Sequence, residues 1–533
     1  MMRPMMQGAA IADARRSRRW PPLIVLLPTI AVTVSVLLPL VYLGIRALEA
    51  GPDVWSFMLR PRTLQVVWTS MALSVLVTTA SLMLALPIAW LVTRSDLRYR
   101  RFWFVAAVLP LVIPSYVGAY AFVSAFAPGG LISGAVGLNI GVYGFWGAFV
   151  VLTLFNYPFM LLAVRAGLRG IDPSLEEASR SLGRSAWQTF LTVTLPHLRP
   201  AIAAGALLVS LYVLADFGAV SMLRTDTFTR SIYVQYQNSF NRANAAVLGL
   251  MLVAFIGLVF LVDAAVRGRA RLDRVGSGSA RHPRTSRLGA WRLPAIAYLT
   301  AIVGLALIAP LSVITAWLYR GIVSGQLFEL QLMPIFNAVG VSLAAAIVAT
   351  LAAVPVAVLA VRFPSRLSAV LERLTYVGYA LPGIVVALAL VFFGVRYAPW
   401  LYQTTAMLVF AYTVLFLPQA LGTVRASLLQ INPHLEEAAR SLGHNATSTM
   451  LSVTFPLVRS GLVTGAAIVF LTTMKELPAT LLLAPIGFDT LATRIWSWTV
   501  EAFFAQAAPY ALILVLASTV SVAILLAHER DHA

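Results

Sequence analysis

Residues 176–205 read EEASRSLGRSAWQTFLTVTLPHLRPAIAAG, and residues 436–465 read EEAARSLGHNATSTMLSVTFPLVRSGLVTG. The two stretches lie 260 residues apart and agree at 15 of 30 ungapped positions, where ordinary residue frequencies give roughly two. Self-similarity at that spacing marks a tandem duplication. Upstream the match continues at an offset of 268: Pro87 with Pro355, Arg94 with Arg362, Pro114 with Pro382. The first copy thus carries about eight extra residues, expected in the glycine-rich loop 128–141.

Each copy opens as a short helix. Asp172-Pro173 and Asn432-Pro433 supply an N-cap and a proline at the first helical position. Glu176, Glu177, Glu436 and Glu437 follow in the early turns, where the helix dipole favours anions. Gly183 and Gly443 allow the sharp turn that ends the helix. A second amphipathic stretch runs to Pro196 and Pro456, where the next apolar segment is expected to begin.

Working outward, the chain reads as a membrane protein. Of its 533 residues 60% are hydrophobic and 11% charged, with mean hydropathy +0.85, against about 25% charged in soluble domains. Residues 102–164 contain no Asp, Glu, Lys, Arg or His, room for two spans of about 20 residues. Backbone groups in lipid must be satisfied within helices, so the expected fold is all-α, a polytopic transmembrane bundle. Charge-poor stretches place twelve spans near 23–45, 64–92, 103–126, 143–164, 200–221, 245–266, 293–318, 336–361, 374–395, 401–424, 460–482 and 504–527. The domain organisation that follows is a tail 1–22, a six-span half 23–266 with its loop 172–196, a Gly/Ser/Arg-rich linker 267–292, a second half 293–527 with loop 432–456, and a tail 528–533.

The net charge of +19 fits this topology better than nucleic-acid binding. With the N-terminus inside, 29 Lys and Arg fall on cytoplasmic segments and 10 on external ones, as the positive-inside rule requires. Both termini are then cytoplasmic. Arg15, Arg16, Arg18 and Arg19 precede an uncharged run from Trp20 to Ile45, too long for a signal peptide's apolar region and read as an uncleaved first span. Cysteine is absent, which excludes disulfides and thiolate metal ligands. The histidines form no ligand pair at helical spacing except His528 and His532, in the terminal tail.

The duplicated loop resembles the EAA loop of ATP-binding-cassette importer permeases: Glu177-Ala178-Ser179, Gly183 and Val193-Thr194-Leu195-Pro196 in the first copy, Glu437-Ala438-Ala439, Gly443 and Val453-Thr454-Phe455-Pro456 in the second. The resemblance implies a type I importer permease fold in a bacterial inner membrane. It implies that each loop docks on a cytoplasmic ATPase subunit, two copies in all, and that a periplasmic substrate-binding protein delivers cargo. Glu176, Glu177, Ala178, Gly183, Glu436, Glu437, Ala438 and Gly443 would be the coupling residues. A phosphate-binding loop needs a Lys after glycine, and the single Lys is Lys475 in TTMKELPA. The chain is therefore expected to be no enzyme and to hold no cofactor, with ATP and Mg bound by the partner.

Asp216 and Glu476 occupy equivalent positions, 17 residues beyond Arg199 and Arg459, roughly 25 Å along a helix. Acids at that depth are candidates for a cation pathway; local neutralisation, of Glu476 by Lys475 or an arginine, is the competing reading. Segments 214–236 and 472–496 resemble ferric-iron importer permeases, which implies Fe(III) as cargo. Hard oxygen donors suit that ion, so Asp216, Glu476 and nearby Tyr212 are admissible, with no ligand set assigned. Tyr233 and Tyr236 read as interfacial belt residues. The charged residues Arg224, Asp226, Arg230, Arg242, Asp489, Arg494 and Glu501 read equally as a rim for the binding protein or as solvated surface. Thiamine, polyamine or phosphonate import stays open. A proton-coupled secondary transporter is disfavoured: its expected glycine-bearing basic motif is missing from RSDLRYRR (94–101), and it has no use for the doubled loop.

Overall fold

A computed structural model describes residues 21–49, 51, 53–137, 141–238, 243–267, 286–325 and 330–531. Most of the tail 1–22, most of the linker 267–292, part of the loop 128–141 and the last two residues, His532 among them, lie outside the described residues, as does Arg242. Among the described residues the structure is helical, and the only β-type pairing is an isolated bridge between Ser95 and Ser286.

In chain order the main helices are α1 (Leu23–Leu48), α2 (Pro61–Arg94), α3 (Ser115–Phe126), α4 (Phe145–Gly170), α5 (Pro173–Ser181), α6 (Leu195–Ala215) and α7 (Ala243–Arg267). They continue with α8 (Ala309–Val323), α9 (Met333–Arg362), α10 (Gly383–Tyr397), α11 (Thr405–Gln430), α12 (Pro433–Ser441), α13 (Phe455–Thr473) and α14 (Phe504–Asp531). The duplication is visible in these bounds: α4 and α5 start and stop 260 residues before α11 and α12.

Ten described helices are long and apolar enough to cross a membrane. An eleventh span results if Arg366–Ala380 and Gly383–Tyr397, bent by 102°, count as one. By this measure ten or eleven spans stand beside the expected twelve; the segment at 374–395 is broken at Pro382, and the segment at 504–527 lies within α14. The third segment is broken likewise. Pro114 and Pro382 each cap the helix that follows them, α3 and α10, since proline cannot donate into a preceding turn.

Two compact units emerge, and they are not the two sequence halves. One comprises residues 1–49 with 331–493, the other residues 50–330 with 494–533. In the first unit α9, α11 and α13 pack on one another, and α1 lies against α9 and α10. Thr33 meets Thr375 at 3.2 Å, and the Tyr42 hydroxyl donates to the Phe392 carbonyl at 3.3 Å. In the second unit α2, α4 and α6 make the equivalent core, while α8 packs on α3 and α14. There the Trp317 indole donates to the Ser124 carbonyl at 3.2 Å, and the Tyr120 hydroxyl to that of Phe504 at 2.7 Å. The opening span of each half therefore belongs to the unit built mainly from the other half.

Small residues let the core helices close up, as is usual between membrane helices. A Cβ on Gly205 of α6 would come within 2.6 Å of the Met160 sulfur on α4, and one on Gly465 of α13 within 2.5 Å of the Thr423 hydroxyl on α11. A neighbouring contact keeps its volume while its glycine changes sides: Gly167 faces Ala201 in one unit, and Gly461 faces Ser427 in the other.

Candidate functional site

The two loops fold alike. Asp172 and Asn432 cap α5 and α12 by accepting the amides of Ser174 (2.9 Å) and His434 (3.1 Å). Each helix stops at a glycine in the left-handed region, φ +82° at Gly183 and +93° at Gly443. No atom lies within 4 Å of where a Cβ would stand on either, so conformation, not space, calls for glycine there.

Adjacent glutamates face opposite ways. Glu177, Ala178, Glu437 and Ala438 are exposed, as are Leu182 and Leu442, 81% and 83% accessible at the two tips. Glu176 and Glu436 turn inward. Glu436 Oε1 accepts from Arg362 Nε at 3.1 Å and from the Thr454 hydroxyl at 3.0 Å, and pairs in charge with Arg362 Nη2 at 2.9 Å. Glu176 Oε1 receives the Thr194 hydroxyl at 2.9 Å and lies 3.8 Å from Arg94 Nη2. Arg94 and Arg362 are repeat equivalents in the sequence. Their place at the last residue of α2 and α9, where the helix dipole favours a cation, was the available signal. Ser179, the departure from the Glu-Ala-Ala pattern, is buried and pairs its hydroxyl with Thr189 at 3.1 Å.

Beyond each loop the helix does not restart at the proline, as expected from Pro196 and Pro456, but runs on through it. A π-helical turn, Phe190–Thr194 or Met450–Thr454, precedes Leu195-Pro196 and Phe455-Pro456. A third, Gly304–Ile308, precedes Ala309-Pro310. The wider turn makes room for a proline ring that would otherwise strike the carbonyl four residues back.

The far ends of α6 and α13 hold the two acids. The expected spans 200–221 and 460–482 end early, at Ala215 and Thr473, because each acid begins a further short helix. Asp216 accepts the Ser115 hydroxyl and the amides of Ala219 (3.0 Å) and Val220 (3.3 Å). Glu476 accepts the amide of Ala479 at 3.2 Å. Ser115 and Gly383 are equivalent first residues of α3 and α10, and a Cβ on Gly383 would strike the Glu476 carboxylate. The shorter acid thus faces the larger residue and the longer acid faces glycine. Both acids are half-buried. Tyr212 is 41% accessible and stacks on Phe159 with centroids 4.2 Å apart. At the equivalent place in the other unit, Thr472 donates to Gln419 at 3.0 Å. Among the described residues no group of three or more His, Cys, Asp or Glu could hold a metal ion.

The chain has known relatives. The family described as binding-protein-dependent transport system inner membrane component matches twice, at residues 81–272 and 345–531. The Fe(3+)-transport system permease protein FbpB 2 of Haemophilus influenzae is 36% identical over 512 residues, 95% of this chain and 98% of that one. The ferric transport system permease protein FbpB of Actinobacillus pleuropneumoniae is 24% identical over 479 residues, covering 85% and 69%. The molybdenum transport system permease protein ModB of Escherichia coli is 29% identical over 224 residues, 40% of this chain and 96% of ModB.

Proposed function

The chain belongs to the family of binding-protein-dependent transport system inner membrane components, a multi-pass permease, and on that premise we propose that it imports ferric iron at the expense of ATP hydrolysed by separate subunits. The observation that carries the reading is the twinned outward surface of α5 and α12, with Glu177, Ala178, Arg180 and Leu182 in one copy and Glu437, Ala438, Arg440 and Leu442 in the other. Two matching surfaces suit two copies of one ATPase, which would hold the ATP and Mg. Loops and both termini then lie on the cytoplasmic side, and a periplasmic binding protein meets the opposite face.

Iron is favoured by the 36% identity to an Fe(3+)-transport permease along nearly the whole of both chains. The acids Asp216 and Glu476, at the ends of α6 and α13, suit passage of a cation; the exposed side chain of Tyr212 adds an oxygen donor of the kind Fe(III) prefers. The test is uptake into proteoliposomes holding the chain, its ATPase and its binding protein, with labelled Fe(III) and labelled thiamine in parallel. ATP-dependent accumulation of iron and not thiamine is expected. Thiamine uptake without iron would change the cargo; uptake driven by a proton gradient without ATP would overturn the class.

A further inference from the structure

Arg94 and Arg362 end the long helices α2 and α9, yet both guanidinium groups are withdrawn from water, with side chains only 6% and 14% accessible. Arginine is rarely buried without a partner, because an unpaired buried charge is costly. Each meets the inward glutamate of the neighbouring short helix, and each glutamate also takes the hydroxyl of the last residue in the π-helical turn, Thr194 or Thr454. Three elements are thereby tied at one carboxylate oxygen: the end of α2 or α9, the first turn of α5 or α12, and the turn that leads into α6 or α13. The same residues recur at positions related by the duplication, closed by hydrogen bonds at Glu436 and, on the arginine side of Glu176, by a longer charge contact.

We infer that Arg362 and Arg94 are positioning residues for the coupling helices, Arg362 by bonding Glu436 directly and Arg94 by fixing the end of α4 and setting its charge beside Glu176, so that a displacement of each helix is passed to the core. The inference rests on the coupling role proposed above and names the joint through which the push leaves the loop. The two joints are unequal. Arg362 donates to Glu436 through Nε at 3.1 Å and sets its Nη2 charge 2.9 Å from the same oxygen. Arg94 donates mainly to the carbonyls of Leu168 (3.0 Å) and Ile171 (3.5 Å) at the end of α4, and its glutamate stands off at 3.8 Å. The second loop is thus held directly by its arginine, while the first is held chiefly through Thr194.

The experiment uses the reconstituted complex and three readouts: ATPase captured, ATP hydrolysed, and cargo taken up per ATP. Arg362→Ala is expected to keep capture and hydrolysis while uptake per ATP falls roughly tenfold, the effect of losing one charge-assisted bond. Arg94→Ala is expected to cost less, about threefold, because its contact with Glu176 is longer. Arg362→Lys, which restores the charge but not the planar guanidinium, is expected to recover part of the loss. Unchanged uptake per ATP in Arg362→Ala would overturn the inference. So would equal loss of membrane-inserted protein in the Ala and Lys variants, which marks a purely structural arginine. Failure of the unmodified chain to capture an ATPase would instead overturn the coupling role, and this inference with it.

Discussion

Gly443 holds φ +93° and Gly183 +82°, each in open space. An alanine would fit there sterically but pays about 1–2 kcal/mol for the left-handed backbone. The double variant Gly183→Ala/Gly443→Ala is therefore expected to lower uptake about tenfold while leaving the membrane level of the chain unchanged; immunoblots of membranes beside uptake assays check both. At the other end of the core, Asp216→Asn keeps an oxygen that accepts the amides of Ala219 and Val220, and Glu476→Gln keeps one for Ala479. The pair is expected to spare folding and cut iron uptake about tenfold or more; full uptake would make the acids helix caps alone. Both glycines and both acids were legible from the repeat, because backbone conformation and charge leave marks on single residues. The opposite facing of Glu176 and Glu177 was not legible, since adjacent glutamates look alike until the helix bearing them is placed against Arg94 and Thr194.

At the scale of elements, each π-helical turn adds one residue just before a proline and so sets the rotation of what precedes it. Pro456→Ala restores an amide donor and removes the ring, allowing the turn Met450–Thr454 to close as ordinary α-helix. Residues before it would then rotate by roughly 100° relative to α13, carrying Glu436 off Thr454. The expected outcome is uptake lowered several-fold with ATP hydrolysis retained, and slower amide exchange at 450–454; unchanged exchange and uptake would show that the turn is indifferent to its proline. Sequence placed these prolines correctly but read them as starts of spans. A proline after a short amphipathic stretch is an ordinary helix start, and only the continuous helix Ala186–Ala215 shows the wider alternative. The breaks at Pro114 and Pro382 were hidden for a related reason: hydropathy runs unbroken across them.

At the scale of the molecule, the duplication and the apolar spans were readable, but the compact units were not. Nothing in α1 itself says that its apolar face is completed by α9 and α10, which lie some three hundred residues away in sequence. Packing against a distant helix is a tertiary property, and the sequence halves 23–266 and 293–527 follow ancestry instead. A fragment of residues 286–533 made alone lacks α1 and is expected to be degraded in membranes, whereas co-expression with 1–285 should restore it, as immunoblots of the fragment alone and with its complement would show. Since the chain contains no cysteine, single cysteines can be introduced without background. The most direct measurement places one at Leu182 or Leu442, the exposed tips of the twin loops, in the assembled complex and applies a short bifunctional cross-linker. The account expects both positions to join to an ATP-binding subunit, with the yield changing when nucleotide is added; a yield of zero from both, with the subunits otherwise co-purifying, would contradict it.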